Sequence, residues 1–290
     1  MKSKKIMLYL HSVTREVNMA VKSWEVSDEF WARVAPLIPK VKRDPKKSYQ
    51  RRRGGGRKPM ESRRIFEAII YVLRTGIQWK ALPKEYGSSS SVHRYFRKWE
   101  SLGFFRKLWK KGLAEYDEME GIAWTWQSID GTMIKAPTAQ ESVGPNPTDR
   151  GKNGTKRHIL VDERGVPLSI VVTGANRHDV TQVDEVLKNR IRKPRGHTKQ
   201  HLCADAGYSG EKSEEIMRNH RYIPHIRPRG EEKIAIQNGC KARRWIVEVA
   251  HSWFNRFRKL LVRYEKSNSS YEALLHLAAT VIIYRKLAVI

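Results

Sequence analysis

A mixed α/β sheet with flanking helices, preceded by a small all-α domain, is the fold class that this 290-residue sequence predicts. Three observations carry that expectation. Apolar residues recur at helical spacing to about residue 120, and at Ala123 the texture changes to alternating, strand-like runs. Three such runs come first, and helix and strand patterns then alternate, as in a layered α/β sheet. An apolar content of 40% over this length can bury the core of one large and one small domain.

Residues 1–22 lack a clear period and are read as an extension, and residues 23–120 as a helical domain. Ser27-Asp28-Glu29-Phe30-Trp31 looks like a capped helix start that runs to a stop at Pro36 and Pro39. A basic, glycine-rich arm follows over residues 40–58, with Arg51, Arg52 and Arg53 ahead of three glycines. It cannot bury a core, so it is a solvated linker or a phosphate contact, and both readings stand. Ile65, Ile69, Tyr71, Val72 and Leu73 then define a helical face. A turn at Leu82–Gly87 leads to serines 88–91, which can cap a second helix. That helix would carry His93, Arg94, Arg97 and Lys98 outward, and Val92, Tyr95, Phe96 and Trp99 inward. Helix, turn and capped basic helix is the order of a helix-turn-helix, and Arg94, Arg97 and Lys98 are its candidate DNA contacts. Another helix is expected over residues 104–119.

Residues 121–290 form the second domain. The run from Trp124 alternates and ends at Asp130. Strands His158–Asp162 and Leu168–Val172 flank a hairpin turn at residues 163–167. A helix at Val180–Asn189, a strand at His201–Asp205, a helix at Gly210–His220, a strand near Tyr222–Ile226 and a long helix from about Ala242 to Tyr264 complete the order. Ile246, Val249, Trp253, Phe257, Leu260 and Leu261 are the expected buried side of that last helix, with Trp245 and Trp253 as core anchors. Three antiparallel strands followed by alternating helix and strand describe a ribonuclease-H-like sheet.

The charge balance narrows the partner. Fifty-seven Lys+Arg against 30 Asp+Glu leave a formal net charge of +27, which suits a polyanion better than a small metabolite because phosphate neutralisation releases counterions. Double-stranded DNA is the leading partner. No run reaches the ~18 apolar residues that a membrane span needs, and a short N-terminal apolar run is no secretion signal. Cys203 and Cys240 lie far apart without metal-site spacing and are read as reduced thiols of a cytoplasmic, nucleoid-associated protein.

The chemistry is expected at three acids. Asp130 and Asp205 each follow a strand-like run, and Asp205 is followed by Ala206-Gly207-Tyr208. Either alone could be a turn carboxylate. Glu248 stands in an otherwise basic helix, four residues after Arg244 and on the same face. A surface ion pair there is worth under about 1 kcal/mol, which gives little reason for that acid. Three oxygen donors on separate rigid elements suit a pair of Mg²⁺ ions, with Mn²⁺ as a substitute. Two such ions can promote in-line attack at phosphorus by water or a 3′-hydroxyl.

Taken together, Ser128-Ile129-Asp130-Gly131-Thr132, Gly174-Ala175-Asn176-Arg177-His178-Asp179, Ala204-Asp205-Ala206-Gly207-Tyr208 and Arg244-Trp245-Ile246-Val247-Glu248 resemble the DDE transposases of small bacterial insertion sequences. Thr75–Pro83 and Ser91–Trp99 extend the resemblance, which runs from about Trp24 to Lys286. It implies a ribonuclease-H-like catalytic domain in which Asp130, Asp205 and Glu248 bind Mg²⁺ and act on the ends of an inverted-repeat element, with a homodimer synapsing two ends. Many relatives read Tyr-x2-Arg-x3-Glu-x6-Lys around the third acid, whereas this chain has Lys241 and Asn255 at the first and last positions. Arg256, Arg258 or Lys259 could supply the phosphate contact instead. His178 and Asp179 could reach the metal site or simply stabilise a turn. Lys156 and Arg157, in a glycine-flanked basic stretch, could meet a phosphate or form a hairpin approach. A structure-selective nuclease and a catalytically silent DNA-binding protein are the alternative functions.

Overall fold

The computed structural model describes residues 24–40, 46, 48, 50, 58–194, 198–226 and 245–290. The extension 1–22, the arginines Arg51, Arg52 and Arg53, Cys240 and Arg244 lie outside the described residues.

Four helices build the first part: α1 (Asp28–Val34), α2 (Ser62–Thr75), α3 (Ser89–Ser101) and α4 (Phe104–Met119). Ser27 caps α1 by accepting the Phe30 N–H at 3.1 Å, and Asp28 and Glu29 in the first turn complement the helix dipole. The order of the helix-turn-helix is present, but its tight turn is displaced. Two 3₁₀ turns occupy residues 76–88 between α2 and α3, whereas Leu102 and Gly103 alone join α3 to α4. Gly103 makes that short turn at a φ of 69°, where a side chain would be strained.

Six strands form one sheet among the described residues: β1 (Trp126–Lys135), β2 (Gly144–Pro145), β3 (Asn153–Asp162), β4 (Pro167–Gly174), β5 (Gln200–Ala204) and β6 (Tyr222–Ile226). β1 is central. It pairs antiparallel with β3, which pairs antiparallel with β4, and on its other edge it pairs parallel with β5, which pairs parallel with β6. This is the ribonuclease-H-like arrangement expected from the sequence. The basic, glycine-containing stretch ahead of His158 is strand from Asn153 onward, not a flexible approach to a hairpin.

Helices α5 (Val183–Lys188), α6 (Glu211–Asn219), α7 (Trp245–Asn255) and α8 (Asn268–Lys286) flank the sheet. The helix expected to reach Tyr264 stops at Asn255. Beyond it, Val262 bridges to Lys135, the Arg263 N–H donates to the Lys135 carbonyl at 2.8 Å, and the buried Arg263 guanidinium donates to Thr155 Oγ1 at 3.1 Å. Anchoring to the end of β1 overrides the local helical period. The fully buried stripe of α7 is accordingly Val247, Ala250, His251 and Phe254, while Ile246, Val249 and Trp253 are only partly covered. Trp245 and Leu261, expected inside, are 54% and 48% exposed.

The core is continuous between the helical part and the sheet. Phe30 of α1 meets Tyr284 of α8, Trp109 of α4 stacks on His276 of α8, and the Trp109 indole donates to the Pro167 carbonyl at 3.2 Å. The long apolar run of α8 is thus spent on internal packing. Among the described residues no helix is long and apolar enough to cross a membrane.

Candidate active site

Asp130 lies in the middle of β1 rather than at its exit. Its position is nevertheless special, because the parallel ladder with β5 is recorded from Trp126↔His201 to Ser128↔Cys203 and no further. Two residues beyond that last pair, at the same offset of 75, stand Asp130 and Asp205. Asp205 follows β5 in an extended conformation, and its Oδ1 accepts the Gly207 N–H at 2.9 Å. It therefore caps a turn, as the bland reading of the sequence held, and also lies level with Asp130 where the two strands part.

Helix α7 closes over the same face. Thr132 pairs with Arg157 and Asp130 with Ile159, so the pleat aims these four side chains to one side. There the buried Arg157 guanidinium lies 4.8 Å over the Phe254 ring and donates to His251 Nδ1 at 3.1 Å and Asn255 Oδ1 at 3.3 Å. Arginine has no acceptor, so Nδ1 is the accepting nitrogen and the imidazole proton is on Nε2. That Nε2 stands 3.5 Å from Asp130 Oδ2, a close approach without a hydrogen bond. Burial and the Arg157 cation hold the His251 pKa well below its ordinary value, so the ring is neutral. Glu248 is exposed and lies three residues before His251, hence one turn away on the adjoining face.

The opposite face carries a second cluster. Asp179 Oδ2 accepts from Lys156 Nζ at 3.1 Å, and Asp179 Oδ1 lies 3.4 Å from His158 Nδ1. Burial alone would raise the Asp179 pKa, but His158 and Lys156 outweigh it and hold the carboxyl below the usual range. Gly131 makes the arrangement possible, since a Cβ there would stand 2.2 Å from Asp179 Oδ1. Adjacent residues thus serve opposite faces: Asp130 faces α7, and Gly131 leaves room for Asp179. Tyr208, buried beyond the end of β5, has a hydroxyl with no hydrogen-bond partner among the described residues. Burial first, then the fields of Asp179, Asp130 and Asp205, push its pKa well above 10.0.

Three predicted phosphate contacts are corrected. Lys156 is buried and committed to Asp179 and to the Arg177 carbonyl at 2.8 Å. Arg157 is buried against α7. Lys259 is buried and paired with Glu265 at 3.1 Å. Each is a cation that the fold has already neutralised or covered, so none can reach DNA. Arg94, Lys98, Arg256 and Arg258 are exposed, as is Arg97, although Arg97 is held by Glu100 at 2.9 Å and Ser267. His178 is exposed, with its carbonyl accepting from Thr181. The sequence reading missed His251, Tyr208 and His158. The first was legible as the residue one turn after Glu248, and the second lies inside a motif noted for its aspartate.

The oxygen donors at this face, carboxylates on β1, after β5 and on α7, have the chemistry that Mg²⁺ or Mn²⁺ prefers. Among the described residues, however, no three His, Cys, Asp or Glu side chains are gathered closely enough to hold an ion. The donor set fits the metal in the kind of atom it offers.

The fold is a ribonuclease-H-like sheet with acids on its central strand, after the neighbouring parallel strand and on a following helix. Two family models match. Residues 125–283 match "Transposase DDE domain", and residues 26–109 match "Putative transposase of IS4/5 family". The chain belongs to the DDE transposases of insertion sequences. It is 38% identical over 150 residues to a "Putative transposase for insertion sequence element IS402" of Burkholderia cepacia, covering 50% of this chain and 70% of that protein. It is also 31% identical to the "Insertion element IS402 uncharacterized 16.2 kDa protein" of the same organism, over 42% of this chain and 80% of that one. A solved pre-cleavage Mos1 transpososome aligns with TM-score 0.28 and 11% identity over 97% of this chain and 95% of that one.

Proposed function

We propose that this transposase binds the terminal inverted repeats of its insertion sequence, cleaves DNA there and joins the ends to target DNA, with Asp130, Asp205 and Glu248 as its catalytic acids. The observation that carries the assignment is the level placement of Asp130 and Asp205 where β1 and β5 part, beneath the helix that bears Glu248. These acids would hold Mg²⁺ or Mn²⁺, two per site, and the ions would supply charge stabilisation at phosphorus and an activated water or 3′-hydroxyl.

The chain's own residues set the conditions for that chemistry. Asp130 on β1 and Asp205 just after β5 would present two carboxylates on a rigid frame, which would limit the entropy lost on bringing substrate to them. Neutral His251, locked by Arg157, packs beside Asp130 without competing as a cation for its carboxylate. Residues 23–120 would bind DNA through the outer side of α3, where Arg94 and Lys98 are exposed, and residues 121–290 would carry out the reaction. Two copies would synapse the two ends.

Supercoiled plasmid carrying the element ends, incubated with the full chain and Mg²⁺, tests this reading. The wild type should give nicked, excised and joined products. Asp130→Asn and Asp205→Asn should fall to background while their circular dichroism remains that of the wild type. Full activity in either variant would remove that residue from the site. Cleavage without any joined product would make the enzyme a nuclease.

A further inference from the structure

A second site lies at the seam between the helical part and the sheet. Trp253 and Phe257, around the end of α7, and Ile282 of α8 wall a cavity of about 170 Å³ whose other lining residues are Arg256, Arg285 and Lys286. Arg74, near the end of α2, stacks on the Phe257 ring at 4.3 Å, and Lys286 Nζ lies 4.3 Å over the Trp253 ring. Arg74 is only 7% exposed, yet its Nε and one terminal nitrogen are buried without a hydrogen-bond partner. Burial, followed by the nearby cations of Arg285 and Arg256, lowers its pKa to about 10. Among the described residues, no hydrogen bond or ion pair to an acid is made by the Arg74, Arg256 or Arg285 side chains.

Cations commonly gather at helix C-termini, and three such ends meet here. That accounts for only part of the charge. Each helix end supplies about half a negative charge, roughly one and a half in all, against three guanidinium groups; the Lys286 ammonium is already engaged by the Arg164 carbonyl at 2.7 Å. A buried arginine with unmade hydrogen bonds beside two other arginines is a costly arrangement unless an anion joins it. Two aromatic walls add flat apolar surface beside the cations, which suits a phosphate attached to a sugar or base better than a bare carboxylate.

We infer that this cavity is an oxyanion site that takes a phosphodiester of bound DNA, held by the Arg256 and Arg285 guanidinium groups that line it, with Arg74 stacked on the Phe257 wall. The choice of DNA as the source of that phosphate rests on the transposase reading.

The experiment has two arms, each with the full chain. In the first, binding of a double-stranded oligonucleotide carrying the element end is measured across a salt series for the wild type, Arg256→Ala, Arg285→Ala and the distant exposed control Lys212→Ala. Loss of one phosphate contact should lower the slope of log affinity against log salt by about one in the two arginine variants and leave it unchanged in the control. In the second, thermal unfolding is followed with inorganic phosphate at constant ionic strength. Phosphate should raise the melting temperature of the wild type but not of the Arg256→Ala/Arg285→Ala double variant. DNA binding with wild-type slopes in both arginine variants would overturn the site and leave the transposase reading intact. If the wild type bound no DNA, that reading would fail, and the phosphate arm alone would decide: selective stabilisation of the wild type would keep the oxyanion site, and equal response would end it.

Discussion

Two groups of cations lie in this molecule, one buried and one in which Arg74 alone is buried, and they differ in one respect. On β3, Lys156 has Asp179, and Arg157 has the Phe254 ring, His251 and Asn255. At the seam, Arg74, Arg256 and Arg285 crowd one another without an acid. The first group is part of the scaffold, since its hydrogen bonds orient the elements that carry the acids. In the second, Arg74 has buried nitrogens with no hydrogen bond among the described residues, while Arg256 and Arg285 are exposed beside it. Positive residues look alike in a sequence, but only the unsatisfied group has binding energy left for a ligand.

Four measurements would break or sharpen that contrast. The largest effect is expected at Arg157, where Arg157→Ala removes a ring stack and the ligand of His251. It should cost about 3 kcal/mol in urea unfolding, and an unchanged midpoint would place Arg157 with the uncommitted cations. Gly131→Ala comes next. The added methyl would displace Asp179 and should cost about 1–3 kcal/mol, also read from the urea midpoint. A third effect appears only in acid. Because the folded Asp179 pKa lies below its ordinary 3.8, the stability it contributes is complete above that value and is lost as pH falls through the lower, folded one. Asp179→Asn should therefore flatten the fall in stability between pH 5 and acid extremes, and an unaltered acid limb would show that the Lys156 contact contributes nothing. The smallest effect belongs to the seam. Arg285→Ala should leave stability within about 0.5 kcal/mol of the wild type or raise it slightly, because it relieves repulsion; a loss as large as that at Arg157 would show the seam to be scaffold too.

Much of the site was legible in the sequence because it consists of backbone-periodic elements with an acid at a fixed place on each. The α4 boundaries, the order of β1, β3, β4, β5 and β6 and the separate elements bearing Asp130, Asp205 and Glu248 follow from period and turn chemistry, whereas β2 and the first half of β3 do not. What could not be read was the third dimension. On β3, nine of ten residues are buried, so alternation no longer separates inside from outside, and Lys156 and Arg157 look like surface charges. The end of α7 at Asn255 depends on Arg263 reaching Lys135 and Thr155 across the fold, which no local propensity records. Asp179 resembled a turn residue until Gly131 and His158 gave it a place behind the central strand.

The packing of α8 also has a temporal side. Phe30 rests on Tyr284, the Ser27 hydroxyl donates to the Val289 carbonyl at 3.0 Å, and Trp109 lies against His276. Until the Asn268–Lys286 segment has been synthesised, the apolar faces of α1 and α4 lack that partner, so the helical part and the sheet part complete their shared interior together.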